Sequence, residues 1–350
     1  MSNALDDLDP SAYAPYRNPR DYILSWTDTI WVNQTPGLIR DHYGKEVKVH
    51  TAYAETYDLE LVIQNSLQKM AAFPNGGGGM GEDVVWEPRG RNGFISSHRV
   101  LKTGTHLGPF IYGPPTGRDY ISRTVAHCLV KDGLIVEEWL ARDEYAVLTG
   151  LGIDPWMVAR KLAKASPVTG KALAASADET AAFGGRIADP ARQGVSGARP
   201  GRHMAECELI KEYFETVWNQ RLFHRTRDFV SQRIFCQTVR MKRVQGLWPY
   251  ENHIIDLLAR FPDCEIEIRD IAIHENDEIG TRAAVIWLLR GTYSGAPFYG
   301  PTNGAPIRVL GASHFEIEHG KLAREYRVFD EIAIMTQIVA HGGLDDEAAR

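Results

Sequence analysis

Three side chains in the first half of this chain are of types that can do acid/base or anion-binding chemistry: Arg99, His106 and Glu138. His106 lies in a Gly-Thr-His triplet, and an imidazole titrating near neutrality can polarise a carbonyl or relay a proton. A hydrogen-bonded structural histidine at a strand end fits it equally. Arg99, earlier in the same run, offers a fixed fork of donors to a carboxylate or an enolate, and a structural salt bridge accounts for it as well. Glu138 would serve as a general base if burial raised its pKa, and as a solvated strand carboxylate otherwise. No metal site is expected. The four cysteines, Cys128, Cys207, Cys236 and Cys264, show no close pairing such as C-x-x-C and read as small buried apolar residues.

These candidates fall within an internal repeat. The segment TGTHLGPFIYGPPTG, Thr103 to Gly117, lies over RGTYSGAPFYGPTNG, Arg290 to Gly304, at a constant offset of 187 residues. The same offset pairs Trp31 with Trp218, Asp83 with Asp270, His127 with His314, Gly133 with Gly320, Glu138 with Glu325, and Asp143-Glu144 with Asp330-Glu331. Phe73-Pro74 matches Phe261-Pro262 after a one-residue insertion. Two domains follow, residues 15–156 and the more divergent 205–342, with an Ala/Gly/Pro-rich linker over 157–204 whose composition buries little surface.

Within each repeat, helical periodicity comes first and alternation later. Apolar residues recur at three- and four-residue spacing over Tyr22 to Trp31 and Ala205 to Trp218, and again over Leu59 to Phe73 and Glu251 to Phe261, where Pro74 and Pro262 stop the pattern. Strands follow at Asp83 to Glu87, Gly93 to Thr103, Tyr120 to Lys131 and Leu134 to Arg142, with a hairpin turn at Asp132-Gly133. Asp143 and Asp330 precede apolar helical runs and read as N-caps. The fold class is α+β, helices followed by antiparallel strands. The stretch NGGGGMG from Asn75 to Gly81 lacks the Lys-Ser/Thr end of a phosphate loop and reads as a flexible loop.

The order GTHLG, then GPPTGR, then DGLIVEEW resembles the SnoaL-like polyketide cyclase family of the nuclear transport factor two-like superfamily, over Tyr22 to Leu151 and more weakly in the second half, where His106 becomes Tyr293, Arg118 becomes Ala305 and Trp139 becomes Tyr326. The resemblance implies tandem cone-shaped domains, each a curved antiparallel sheet wrapped on N-terminal helices around a pocket. It also implies cofactor-independent acid/base chemistry: an aldol-type cyclase or lyase, or an isomerase, on a hydrophobic carbonyl compound. The alternative in the same fold is a non-catalytic small-molecule-binding or assembly module. Where the family carries a histidine seven residues before the turn glycine, this chain has Ala126 and Ser313; where it carries an aspartate after the tryptophan, it has Leu140 and Arg327. Glu138 and Glu325 share the strand parity of that aspartate and are expected in the cavity, with Trp26, Trp31 and Tyr43 on its helix side, and Arg118 and Tyr293 as further binding residues. His127 and His314 stand one residue out of register, on the opposite face, which the resemblance makes a pairing surface; the halves are expected to form an intramolecular pseudo-dimer that can oligomerise further.

Composition excludes other classes. The 44% hydrophobic share, 10% aromatic share and formal charge of -6 describe an ordinary globular chain, and the scattered Lys and Arg make no basic stripe for nucleic acid. The acidic start MSNALDDLDP does not read as a secretory signal, and no apolar run approaches the roughly 20 residues that span a bilayer, so a cytoplasmic location is expected.

Overall fold

In the computed structural model, residues 4–53, 55–56, 58–76, 79–165, 203–276 and 278–342 are described, and the chain divides into two compact units, residues 1–155 and 156–350. Each unit is α+β.

The first unit begins with helix α1 (Pro19–Thr27), capped by the Asn18 side chain and finished by one π turn (Asp28–Val32), then the short α2 (Ile39–His42). Strands β1 (Tyr43–His50) and β2 (Glu55–Thr56), helix α3 (Leu59–Ala72), strands β3 (Gly79–Pro88), β4 (Gly93–Thr105), β5 (Asp119–Lys131) and β6 (Leu134–Arg142), and helix α4 (Glu144–Leu151) complete it. Helix α5 (Pro155–Ala165) occupies the start of the segment that composition assigns to a linker; the part from 166 to 202 lies outside the described residues. Residues 77–78 of the glycine-rich stretch also lie outside them, and β3 starts directly after, at Gly79.

The six strands run in the order β2-β1-β6-β5-β4-β3. Contrary to the antiparallel expectation the sheet is mixed, because β1 pairs parallel to β6. Residues 51–133 separate these two strands, so no hairpin constrains their direction. Register shifts within β3, β1 and β6 mark bulges, which bend a sheet. The β5–β6 hairpin turns on Asp132 and Gly133, at φ +50° and +76°, the conformation a type I′ turn requires and glycine adopts without strain.

Alternation along the strands sorts the faces. Phe94, Ala126, Cys128 and Val130 meet Tyr22, Ile23 and Ile30 of the N-terminal helical segment in an apolar core, and the Tyr22 hydroxyl donates to the Gly133 carbonyl at 2.9 Å. Residues one step out of register, including Arg99 and His127, belong to the other face.

The second unit repeats this order: helix α6 (Met204–Tyr213) with a π turn (Phe214–Asn219), α7 (Thr226–Phe229), β7 (Val230–Gln237), β8 (Arg243–Gln245), α8 (Leu247–Leu258), β9 (Glu265–Asn276), β10 (Gly280–Tyr293), β11 (Ala305–Glu318), β12 (Lys321–Phe329) and α9 (Glu331–Ala340). Its sheet runs β8-β7-β12-β11-β10-β9, with β7 parallel to β12. Asp143 and Asp330 cap α4 and α9, each accepting backbone N–H bonds from the first turn. Tyr112 donates to Glu144 in one unit, and Tyr299 donates to Glu331 at 2.7 Å in the other. The repeated Tyr-Gly and Asp-Glu motifs are thus one loop-to-helix clasp, made twice.

Candidate functional site

Glu138 on β6 lies opposite Cys128 of β5 and Val49 of β1, both members of the apolar core, so its carboxyl points to the helix side of the sheet and is 6% exposed. It accepts from the Tyr43 hydroxyl at 3.4 Å and from the Cys128 thiol at 3.9 Å, and makes no ion pair among the described residues. Burial raises its pKa, only partly countered by Arg142, the Tyr43 bond and Lys102. Burial also holds Tyr43 and Cys128 well above their ordinary values, so both donors stay neutral.

Two further groups on that face come from β4. His98, one row along from Cys128, sets Nε2 3.3 Å from Thr27 Oγ1, while its buried Nδ1 has no partner among the described residues. Burial lowers its pKa to about 4, which makes it a neutral imidazole at neutral pH. Lys102, two rows on, is half-buried with its ammonium 5.6 Å from the centre of the Trp31 ring. Burial, then Lys69 and Arg142, draw it down to about 7.

The remaining expected residues sit elsewhere. Arg99 is one residue out of register with His98 and so on the other face from Glu138; its Nε donates to Glu82 Oε2 at 3.0 Å, and Arg123 grips the same carboxylate at 2.6 and 2.7 Å. Burial would raise Glu82, but the two guanidinium groups overcome it and lower its pKa. His127 shares this face, edge-on to Trp139 at 5.6 Å, and Trp139 stacks on His50. His106 follows the end of β4, fully buried, its ring stacked on Phe73 at 5.2 Å and its Nδ1 3.4 Å from Thr116 Oγ1; burial lowers its pKa. Arg118 is exposed beside Gly152, and its carbonyl accepts from the His106 N–H. Trp26 packs with Tyr16, Tyr22 and His42 at the core margin. Glu138, Tyr43 and Trp31 are therefore brought to the helix side with Trp26, while Arg99 and His106 are not part of that group.

In the second unit the matching glutamate has a different setting. Glu325 is fully buried and accepts from Arg327 Nε at 2.8 Å and Nη2 at 2.5 Å, from Tyr250 at 2.6 Å and from Ser313 at 2.7 Å. Tyr213 bonds Tyr250 at 2.5 Å, and the Trp287 indole donates to Ser313 at 3.1 Å. Burial acts to lower the Arg327 pKa, and Glu325 more than reverses it, so the guanidinium keeps its charge. Tyr293 is fully committed to its own loop: its hydroxyl accepts from the Tyr299 N–H at 2.8 Å and donates to the Gly300 carbonyl at 2.6 Å.

At the 187-residue offset, Arg327, Ser313, Trp287, Phe315 and Phe214 stand where the first unit has Leu140, Ala126, Val100, Cys128 and Thr27. The second unit thus fills with rings and an ion pair the region that the first lines with smaller side chains. Sequence reading singled out neither Tyr250 and Tyr213 nor Lys102 and Arg142. The signal was a charge facing an apolar residue across the repeat, as with Lys102 and Leu289.

The model of the SnoaL-like polyketide cyclases matches residues 208–338. That span lies within the second unit. Among solved structures, a candidate SnoaL-like polyketide cyclase from Jannaschia sp. CCS1 is 20% identical, covering 41% of this chain and 99% of its own, at a TM-score of 0.37. TsrD from Streptomyces laurentii is 16% identical, covering 41% and 98%, at 0.35. A SnoaL-like polyketide cyclase from Agrobacterium tumefaciens strain C58 is 21% identical, covering 37% and 95%, at 0.31. No curated protein matches the chain. Among the described residues, no group of three His, Cys, Asp or Glu side chains could hold a metal ion, and no helix is long and apolar enough to cross a membrane.

Proposed function

We propose that the first unit is a second copy of the SnoaL-like fold and the working one: a cofactor-independent acid/base site that moves a proton next to the carbonyl of a hydrophobic small molecule, as an aldol-type cyclase or lyase or an isomerase does. The observation that carries this reading is Glu138, a buried carboxyl with two weak neutral donors and no ion pair among the described residues, held protonated at higher pH than a solvated glutamate. Such a group gives a proton to a developing enol and takes one from the carbon beside it. His98, neutral with a vacant Nδ1, supplies a second acceptor on the same face.

Glu325 supports the complementary assignment. Its charge is neutralised by Arg327 and its oxygens are occupied, so it has no vacant site for a substrate proton, and the second unit acts as a binding or assembly module.

The test needs no knowledge of the natural substrate. Hydrophobic ketones incubated with the protein in deuterated water exchange their α protons, followed by proton NMR. Glu138→Gln lowers catalysed exchange by about 100-fold or more, the scale of a lost general acid/base, whereas Glu325→Gln leaves it in place. Exchange that survives Glu138→Gln and disappears with Glu325→Gln reverses the assignment.

A further inference from the structure

Proton transfer at Glu138 leaves unexplained a group of cations in the first unit. Arg142 ends β6 four residues beyond Glu138 and on the same face, and Lys102 lies on the matching face of β4. Lys69 of α3 faces Glu144 at 4.0 Å. The three cations converge on one carboxylate: Lys69 and Arg142 both depress Lys102, and all three offset the burial of Glu144, whose pKa is lowered on balance. Glu144 is the anion that Lys69 faces, and it is already shared with the Tyr112 hydroxyl.

Two of these cations make no direct bond among the described residues, although Glu138 and Glu144 lie within electrostatic range of both. Among the described residues Arg142 makes no hydrogen bond and no ion pair, and its Nε is buried. The Lys102 ammonium has no bond either, and its near neighbour is the face of Trp31. A guanidinium N–H withdrawn from water without an acceptor is costly. The fold does not demand it: the equivalent positions of the second unit, across the repeat and its one-residue insertion, hold Leu257, Leu289 and Phe329, all buried. Three charges have been placed where the same architecture packs with three apolar side chains.

We propose that Arg142 and Lys102, backed by Lys69, form a carboxylate-binding subsite, so that the substrate of the first unit is a hydrophobic oxo acid. The carboxylate takes the Arg142 Nε–H and the Lys102 ammonium, the apolar body lies against Trp31, and the carbonyl faces Glu138. The last of these placements rests on the proton-transfer reading; the carboxylate does not. A fork of donors beside an ammonium suits a planar two-oxygen anion. The charge also fits a monoanion, because Glu144 cancels one cation and Lys102, near 7, is only partly protonated in the empty protein. An arriving anion favours the protonated amine, so binding draws a proton from solution.

Isothermal titration of the full chain with 3-oxooctanoate and with its methyl ester, at pH 7.5 in buffers of different ionisation enthalpy, tests this. The acid is expected to bind at least about tenfold more tightly than the ester, with net proton uptake. Arg142→Leu and Lys102→Leu, which install apolar residues as in the second unit, bring the acid down to the level of the ester. Lys102→Arg retains the preference for the acid and loses the proton uptake, which separates lost charge from lost folding. Equal binding of acid and ester, absence of acid binding, a preference that survives both leucine variants, or tighter binding of octyl phosphate than of the acid overturns the subsite. If acid and ester bind alike while α-proton exchange still depends on Glu138, the subsite falls and the proton-transfer reading stands. A preference for the acid with no catalysed exchange gives the reverse.

Discussion

Replacing Arg327 by Leu should destabilise the second unit by about 3 kcal/mol. Removing one member of a buried ion pair costs roughly 3–5 kcal/mol, because a charge is left in a medium that cannot solvate it. The structure places this case at the lower end, since Glu325 would keep the Tyr250 and Ser313 donors at 2.6 and 2.7 Å while losing the guanidinium bonds at 2.8 and 2.5 Å. Glu325→Gln should cost a similar ~3 kcal/mol, for it removes the counter-charge of a guanidinium whose remaining neighbours are the Tyr250 hydroxyl at 3.3 Å and the Trp218 and Tyr250 rings. The double variant removes both charges and should cost only about 1 kcal/mol, so the two sites are strongly non-additive. Hydrogen-exchange protection of peptides from β11 and β12 measures this within one unit, which whole-chain unfolding of a two-unit protein does not isolate. Single variants costing less than about 1 kcal/mol, or a double variant as costly as the two singles together, would refute an obligatory buried pair.

For Glu138, the folded pKa is raised above the unfolded value of about 4.3, so its favourable contribution is complete below that value and is lost as pH rises through the folded pKa. Glu138→Gln does not titrate, so its melting temperature relative to wild type should climb between pH 5 and pH 9, and a difference that stays flat counts against a raised pKa. Tyr293→Phe removes two bonds to the 299–300 backbone and should lower stability by about 1–2 kcal/mol without changing α-proton exchange, read by thermal melting beside the NMR assay. Asp330→Ala deprives the Ile332 and Ala333 N–H groups of their acceptor and should cost about 1 kcal/mol, seen as faster hydrogen exchange in the first turn of α9.

The strands most legible in the sequence were those whose both ends carry a signal. Gly93 and the Asp132-Gly133 turn fixed the limits of β4, β5 and β6 to within two residues, since a hairpin turn and period-two alternation agree there. Strands β1 and β7 went unread. Each is joined to its parallel neighbour by most of a unit rather than a turn, and in Tyr43–His50 only Tyr43, Val47 and Val49 are buried apolar residues, a pattern diluted by Lys45, Glu46 and Lys48. That omission matters to the site, because Tyr43 at the start of β1 is the hydroxyl that reaches Glu138. The helical limits were blurred for a related reason: each N-terminal helix passes into a π turn that keeps the apolar spacing, so periodicity alone shows no boundary at Thr27 or Tyr213.

Strand parity predicted which side of the sheet a residue takes, and could not predict what it meets there. Glu138 and Glu325 occupy matching positions on the last strand of each sheet, yet one makes no ion pair among the described residues and the other is half of a buried salt bridge. The difference lies two residues along the same strand face, where Leu140 in one unit is Arg327 in the other, and in helix α8, where Tyr250 replaces the Val62 of α3. Repeat comparison is usually read for what is kept, and here the kept glutamate is the uninformative partner. The informative positions are those where a charge is exchanged for an apolar side chain, because neither state is tolerated in a core without compensation. Arg327 is compensated by Glu325, Tyr250 and Ser313. Among the described residues Arg142 and Lys102 have no such hydrogen-bonded or ion-paired partner, and that inequality is the physical reason for proposing ligand binding in the first unit rather than in the second.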